Sequence, residues 1–445
     1  MPAFPLPPRH TEVGVVFVVG DGSCAQLGLG EDTVELTKPR KIGYFDDKNI
    51  VHVVAGGLHN VALSQDGKLY SWGCNDDGAL GRAGPEDQPG PVVDGLEGRV
   101  IVDVSCGDSC TMALTQDGEV FGWGQFRDAA GAVGFTPTVF KQSTPLKIEG
   151  LGKVKMIACG NHHVVCLQDD GKVLTWGDNS QGQLGRRPMS RRAAATSLKP
   201  RDITFTPDLK QTSLRREDAR GKAIKSTKIF TAVYAGGYHT FLVHQSGALF
   251  VYGLNQWGQL GLGYNEEQAS FMGPAHLEGD FEKRGIRMIA GGEHHTLLLD
   301  ENGKVFACGR AENHQLGLAE EVITREMPQD MDTDGNFSKR LVNHLVPVDK
   351  LANFNIKTVS ANAQSSIAVG ADVPPLNSDT SNLWAWGYGD EGQLINDGEG
   401  DAVLPHNAFL NGRKAITASV GGQHSVLLLA LNEKDQKARR SSGTA

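Results

Sequence analysis

The chain has 445 residues, a formal net charge of −9 and 56 glycines. No apolar run approaches the ~18 residues that a membrane-spanning helix needs, and the N-terminus lacks the charged-then-apolar order of a secretory signal. We therefore expect a soluble protein that stays inside the cell and has no membrane partner. The cysteines are odd in number and lack CxxC spacing, which disfavours a disulfide framework or a zinc module; they lie at positions 24, 74, 106, 110, 159, 166 and 308.

Residues 1–13 are predicted to be an N-terminal extension, and two short motifs recur after them. The turn motif is an apolar or aromatic residue, a glycine, and a polar turn that usually ends in Gln-Leu-Gly. Its seven copies contain Gly20, Gly73, Gly124, Gly177, Gly253, Gly309 and Gly387. The second motif is Gly-x-x-His before a short apolar run, and it is found at Gly56, Gly107, Gly160, Gly236, Gly291 and Gly421, with a degenerate copy at Asn362.

Asp-Gly and Asn-Gly pairs lie between the two motifs, and they favour the tight turns that join antiparallel strands. The chain begins with a turn motif and ends with a Gly-x-x-His motif, so each end alone leaves an unpaired strand edge. Pairing the two ends completes a seventh unit and removes that edge. The sequence therefore predicts an all-β fold over residues 14–431: a seven-bladed β-propeller of four-stranded antiparallel blades, closed by its N- and C-terminal segments.

Three segments differ from the repeats in composition. Residues 186–228 contain 13 Lys or Arg against 4 Asp or Glu, and this basic insertion on an acidic chain predicts a separate interaction surface. Residues 319–339 are acidic without metal-loop spacing and are predicted to be an extended loop. Residues 432–445 are basic and poor in apolar residues, which predicts a disordered tail.

The motifs Gly-x-x-His, Asp-Gly, Trp-Gly and Gln-Leu-Gly at this period resemble the repeats of the regulator of chromosome condensation family, over roughly residues 14–430. The resemblance implies a guanine nucleotide exchange factor for the small GTPase Ran that binds chromatin in the nucleus. Such a factor accelerates nucleotide release without covalent chemistry, a cofactor or a metal ion. The fold alone does not fix this function, because unrelated functions share such scaffolds.

The third copy of the turn motif is longer than the others. Gly134 follows Gly124 by ten positions, whereas the closing residue follows the glycine by eight positions in the other six copies. In the family, the matching stretch forms a β-wedge against the GTPase's phosphate-binding loop. The resemblance implies GTPase-binding roles for Phe126, Arg127, Asp128, Ala129, Ala130 and Gly131. The alternative is a tolerated surface insertion, since loops vary freely.

Further residues match the family's GTPase-binding face by motif position: Asp108, His162, His294 and His424. A structural role is the alternative for the histidines, because one motif position is taken by His59, His163, His239, His294 and His424. Asp108 lies outside that repeated position, which favours a functional role.

Three departures from the family pattern leave a second function open. His162 stands where the family has an aspartate central to exchange, Ser23 replaces an acidic residue, and Cys110 replaces a motif histidine. A non-catalytic scaffold of the same fold would bind its partner without exchange. A hydrolase or lyase is disfavoured because the sequence has no convergent set of metal ligands and no G-x-S-x-G motif.

The basic insertion carries the predicted chromatin contacts. In the family, a loop at this place projects an arginine to the acidic patch of the nucleosome, which implies this role for Arg187, Arg191 and Arg192. Guanidinium groups suit carboxylate clusters, and neighbouring basic residues can contact DNA phosphate. The alternative is a solvated loop.

Overall fold

The structure is a computed structural model. It describes residues 10–186, 196–203, 230–245, 247, 249–263, 268–274, 281–328, 339–371 and 381–441. None of the helices in these ranges is long and apolar enough to cross a membrane.

The described chain is mostly β-strand, with three short helices. In chain order the strands are β1 (Gly14–Asp21), β2 (Glu35–Lys41), β3 (Ile50–Ala55), β4 (His59–Ser64), β5 (Leu69–Gly73), β6 (Gly90–Val92), β7 (Ile101–Cys106), β8 (Cys110–Thr115), β9 (Val120–Gly124), β10 (Phe126–Asp128), β11 (Gly131–Gly134), β12 (Gln142–Lys147), β13 (Val154–Cys159), β14 (His163–Gln168), β15 (Val173–Gly177), β16 (Arg201–Asp202), β17 (Phe230–Ala235), β18 (His239–His244), β19 (Leu249–Leu254), β20 (Gln268–Pro274), β21 (Ile286–Gly291), β22 (His295–Asp300), β23 (Val305–Arg310), β24 (Leu341–Pro347), β25 (Ile356–Asn362), β26 (Ser365–Gly370), β27 (Leu383–Gly387), β28 (Ala402–Asn407), β29 (Ala415–Val420) and β30 (His424–Ala430). The helices are α1 (Phe281–Arg284), α2 (Glu320–Glu326) and α3 (Glu433–Ser441).

The strands form antiparallel sheets of four. Five sheets have four strands each, and the eight-stranded sheet consists of two such groups joined by the single residue pair Gly14–Ile50. One group is β3 to β6, and the other combines β29 and β30 with β1 and β2. The predictions of an all-β fold and of four-stranded antiparallel sheets are confirmed.

The two ends of the repeat region lie side by side. Strand β1 pairs with β30 over seven residue pairs, from Gly14–Ala430 to Gly20–His424. The first strands of successive groups also contact one another, in the order β3, β7, β13, β17, β21, β25 and β29, and β29 contacts β3. Neighbouring sheets therefore cover both faces of the second strand in each four-stranded group. For this reason β4, β8 and β14 are buried at every residue rather than at alternate residues.

The Gly-x-x-His motif couples a glycine to the histidine ring that covers it. A Cβ on Gly160 would lie 2.2 Å from Cε1 of His163 and 2.3 Å from the carbonyl oxygen of Gly236. The same close approach joins Gly292 to His295, at 2.3 Å. The fifth motif is therefore Gly292 to His295, and the assignment of Gly291 and His294 to the repeated positions is wrong. Because two glycines and two histidines are adjacent here, the sequence fits the Gly-x-x-His motif in two registers that differ by one residue.

Each motif histidine connects its sheet to the next one. Nε2 of His163 lies 2.8 Å from Oγ1 of Thr240, and that hydroxyl donates to the carbonyl oxygen of Gln183 at 2.9 Å. Because the threonine hydrogen is used, the histidine must donate from Nε2. Equivalent links join His59 to Thr111, His239 to Thr296, His295 to Ser366 and His424 to Asn60. The motif histidines are therefore structural.

This geometry predicts that Gly160→Ala is strongly destabilising. The added methyl group meets a ring and a neighbouring backbone that cannot both move, so we expect a loss of about 2 kcal/mol, within the range for overpacked sites. The measurement is urea unfolding followed by circular dichroism. Gly43→Ala is the matched control, because a Cβ there has no neighbour within 4 Å; it should change stability by less than ~0.5 kcal/mol. Equal effects of the two substitutions would contradict the packing argument.

Two predicted irregular segments contain helices. Residues 433–441 form α3, in which Asp435 pairs with Lys41 at 3.2 Å and with Arg413 at 2.7 Å. The prediction of disorder is therefore wrong for these residues, because charge pairing fixes a segment that has little apolar surface. Helix α2 lies within the predicted acidic loop and buries Ile323.

Candidate functional site

The lengthened third turn forms a β-hairpin. Strands β10 and β11 pair antiparallel, with Phe126 opposite Gly134, Arg127 opposite Ala132 and Asp128 opposite Gly131. The other six turns of this motif are all described, and none of them contains a strand pair of its own. The two extra residues are thus used to extend one turn into a separate two-stranded element.

The base of the hairpin is fixed in the core. Phe126 is fully buried, and its ring stacks on that of Phe135 with 5.7 Å between centroids. Both rings belong to the apolar cluster that contains Trp176. Phe126 therefore anchors the hairpin, and its predicted role as a direct GTPase contact is wrong because its side chain is not accessible.

The tip of the hairpin is small and exposed. Ala129 and Ala130 are exposed, and Oδ1 of Asp128 accepts a hydrogen bond of 2.8 Å from the backbone N–H of Ala130. Gly131 has φ +116, and a Cβ there would have no neighbour within 4 Å. A partner's backbone can therefore approach the tip closely without displacing a side chain.

The side of the hairpin is held by an ion pair with the preceding turn motif. Nη1 of Arg127 lies 2.9 Å from Oδ2 of Asp77, and the two side chains are 43% and 18% exposed. A half-exposed pair of this kind contributes at most about 1 kcal/mol to stability. The pair connects the hairpin to the preceding turn motif.

Asp108 and His162 lie beside the hairpin, in the turns of two neighbouring sheets. Nε2 of His162 is 3.7 Å from Oδ2 of Asp108, and the side chains are 11% and 43% exposed. Burial lowers the pKa of His162, against the opposing effects of Asp108 and Asp178. The imidazole is thus neutral at pH 7, and Asp108 is the more exposed polar group of the pair.

His294 belongs to an aromatic and basic group on the same end of the sheets. Its ring lies 6.4 Å from that of Tyr238 and 6.0 Å from that of Trp257. The guanidinium of Arg310 lies over Trp257, 4.5 Å from the ring centroid. Burial and Arg310 lower the pKa of His294 to about 4, so this group presents aromatic surface and an arginine rather than a histidine cation.

A family model described as the RCC1-like domain matches residues 15–427. The chain belongs to the RCC1-like domain family. It is 36% identical to the regulator of chromosome condensation of Mus musculus, covering 96% of this chain and 92% of that protein. It is 27% identical to the guanine nucleotide exchange factor SRM1 of Saccharomyces cerevisiae, covering 92% and 86%. The crystal structure of Prp20p from S. cerevisiae superposes with a TM-score of 0.80 at 27% identity, covering 98% of this chain and 96% of that one; Prp20p binds Gsp1p and histones.

In this RCC1-like chain the predicted face residues do not all share one surface. The hairpin, Asp108, His162 and His294 lie at the end of the sheets where the turn motifs are found. His424 is fully buried and bonded to Oδ1 of Asn60 at 2.9 Å, so its predicted partner contact is wrong. It holds the repeated structural position, and burial lowers its pKa to about 3.

Sequence reasoning missed several residues of this surface. The sequence does not pair Asp77 with Arg127, because 50 residues separate them, and it singles out neither Trp257 nor Arg310. A usable signal was present for Trp257, because the equivalent places in the other turn motifs hold small or polar residues. The predicted chromatin-binding residues Arg187, Arg191 and Arg192 lie outside the described residues.

Proposed function

We propose that this protein is a chromatin-bound guanine nucleotide exchange factor for the GTPase Ran, and that the β10–β11 hairpin is its wedge against the phosphate-binding region. Membership of the RCC1-like family, with 36% identity to a regulator of chromosome condensation and 27% to a named exchange factor, supports the function. The single observation that carries the mechanism is the hairpin, buried at its base and exposed at its tip.

Exchange of this kind needs no nucleophile. A GTPase holds its nucleotide through Mg²⁺, a lysine and backbone amides around the phosphates. The exchange factor must bind the nucleotide-free form more tightly than the loaded form, because only differential affinity shifts the equilibrium. The protein would therefore act without covalent chemistry.

The hairpin suits this task because its base is buried and its side is ion-paired. Phe126 fixes its base and Arg127 fixes its side, so pressure on the exposed Ala129–Ala130 tip is transmitted to the core. A soft loop would yield instead of displacing the partner's backbone. The small tip residues allow the backbone of the phosphate-binding loop to come close.

Asp108 supplies a half-exposed carboxylate beside His162, and His162 is within electrostatic reach of Arg127 of the hairpin. The phosphate-binding lysine of a GTPase loses its anionic partner when the nucleotide leaves. A nearby carboxylate compensates that charge in the nucleotide-free complex only, which is the differential interaction that exchange requires.

We also propose that the sheets form seven blades of a closed β-propeller. The successive contacts of β3, β7, β13, β17, β21, β25 and β29, with β29 against β3, support this arrangement. The β1–β30 pairing supports closure by the two ends of the chain. A closed ring gives the turn motifs a fixed spacing, so the hairpin and Asp108 keep one relative position.

For chromatin, the basic insertion 186–228 remains the proposed contact, with Arg187, Arg191 and Arg192 directed to the histone acidic patch and nearby basic residues to DNA phosphate. The similarity to Prp20p, which binds histones, supports this partner. We propose a nuclear location on the same grounds.

A second candidate function is a non-catalytic binding scaffold. The observation that favours it is His162, a neutral imidazole where the family has an exchange aspartate. A scaffold would bind Ran with similar affinity in its loaded and nucleotide-free forms.

The test is to compare the affinity for nucleotide-free Ran with the affinity for Ran carrying GDP and Mg²⁺. We expect at least a 100-fold preference for the nucleotide-free form, measured by surface plasmon resonance. Equal affinities would establish the scaffold and contradict exchange. Absence of binding to either form would contradict both.

Arg127→Ala should separate hairpin orientation from stability. We expect unfolding free energy to change by less than about 1 kcal/mol, because the ion pair is half exposed, while the exchange rate falls at least tenfold. Asp77→Asn removes the other partner and should have the same effect if the pair acts by positioning. Wild-type exchange rates in both variants would contradict this role.

A further inference from the structure

A cluster of metal-binding side chains lies on the first strands of two neighbouring groups. His52 and Asp103 are the third residues of β3 and β7. Met156 and Met288 take the same place in β13 and β21, and they line a central cavity of about 260 Å³. Because β3 and β7 contact each other, this shared register places the imidazole and the carboxylate next to each other.

The N-terminal extension adds a third donor. The ring of His10 stacks on that of His52, with 3.7 Å between centroids and 7° between planes. One ligand atom from each of His10, His52 and Asp103 lies within 4.8 Å of the others. These three residues are called the His-His-Asp cluster below.

One buried polar atom of this cluster lacks a hydrogen-bond partner. Nδ1 of His52 is buried and has no hydrogen-bond partner among the described residues. Oδ1 of Asp103 accepts a hydrogen bond of 2.9 Å from the N–H of Val104, which orients the carboxylate and leaves Oδ2 available. A buried polar atom without a partner carries a free-energy cost, and a cation between these groups removes it.

We propose that the His-His-Asp cluster binds a divalent transition-metal ion, with Zn²⁺ as the best match. Two imidazoles and one carboxylate are a donor set that Zn²⁺ accepts, with water in the fourth position. The Val104 hydrogen bond is the kind of outer-shell contact that fixes a ligating carboxylate. Tetrahedral ligands lie about 3.4 Å apart, so the three donors must move inward by roughly 1 Å.

The stacked rings show which donor moves. The nitrogen lone pairs of two parallel imidazole rings point in parallel directions. One ring must therefore rotate before both nitrogens can bind one ion. His52 is held within β3, whereas His10 precedes β1 and is exposed. Rotation of His10 therefore completes the site. It also attaches the N-terminal extension to the strand groups that contain β3 and β7. The charge of Lys357 near His10 opposes the cation and limits the affinity.

The experiment is calorimetric titration of the chelator-treated full-length protein with Zn²⁺ alone, with Co²⁺ absorption as a second probe. We expect one ion per chain with micromolar affinity or tighter, and a visible Co²⁺ spectrum typical of tetrahedral coordination. His10→Ala should weaken binding at least tenfold without unfolding the protein, because His10 is exposed. Asp103→Asn should do the same, provided that circular dichroism shows a native fold.

The matched control is His344→Ala, since His344 is bonded to Glu326 at 3.1 Å and is outside the cluster. Its Zn²⁺ affinity should equal that of the wild type. Absence of stoichiometric binding by the wild type, or undiminished binding by His10→Ala, would overturn the proposal. Neither result bears on nucleotide exchange, because the cluster contains none of the residues assigned to exchange.

Discussion

Deleting Ala129 and Ala130 should reduce the rate of GDP release from Ran at least 100-fold, equivalent to about 2.7 kcal/mol of activation free energy. The deletion returns the third turn to the eight-residue length of the other six and removes the exposed tip. Phe126 and its stack on Phe135 remain, so the fold should be retained. The measurement is fluorescent GDP release at several protein concentrations.

The control for this deletion is Ala129→Ser with Ala130→Ser, which keeps the hairpin length and nearly keeps the size of the tip. We expect it to retain at least a third of the wild-type rate. Both variants should unfold at a urea concentration close to that of the wild type. Full exchange by the shortened variant would show that the hairpin is a tolerated insertion.

Lowering the pH from 7 to 5 should reduce the free energy of unfolding by roughly 5 kcal/mol or more. Burial lowers the pKa to about 4 for His59 and to about 3 for His163, His295 and His424. Between these values and the unfolded value near 6.5, the unfolded chain binds more protons, so stability is lost as the pH falls. Burial raises the pKa of Asp103 to about 7, and this group offsets part of the loss.

The measurement is urea unfolding at half-unit pH steps in buffer with a chelator. His163→Gln removes one of the titrating rings, so it should lower the stability at pH 7 and also reduce the slope against pH by about one proton. An unchanged slope in that variant would mean that the ring titrates equally in both states. A flat profile for the wild type would contradict neutral buried histidines.

The repeat architecture was predictable because each motif part has a local physical cause. The glycine of Gly-x-x-His is required by the ring above it, as at Gly160 and His163. The spacing of the repeated motifs also predicts β-strands and four strands in each unit. The one-residue error at His294 arose where two histidines and two glycines are adjacent, since the sequence does not show which ring faces the next sheet.

The candidate site was predictable only in part. The hairpin was visible as two extra residues, but its burial pattern was not: Phe126 points into the core while Ala129 is exposed. Long-range contacts such as Arg127 with Asp77 and His10 with His52 depend on how neighbouring sheets pack. The helix α3 was missed because its stability comes from Lys41 and Arg413, which are distant in sequence.

The claim that this protein is an exchange factor is tested most directly by asking whether each molecule releases GDP from many Ran molecules. Ran loaded with fluorescent GDP is mixed with a tenfold smaller amount of this protein in excess unlabelled GDP and Mg²⁺. The proposed exchange factor predicts that nearly all the label is released at a rate proportional to the protein concentration, since each molecule acts repeatedly. Release at the intrinsic rate of Ran, with a complex still formed, would contradict exchange and establish a binding scaffold.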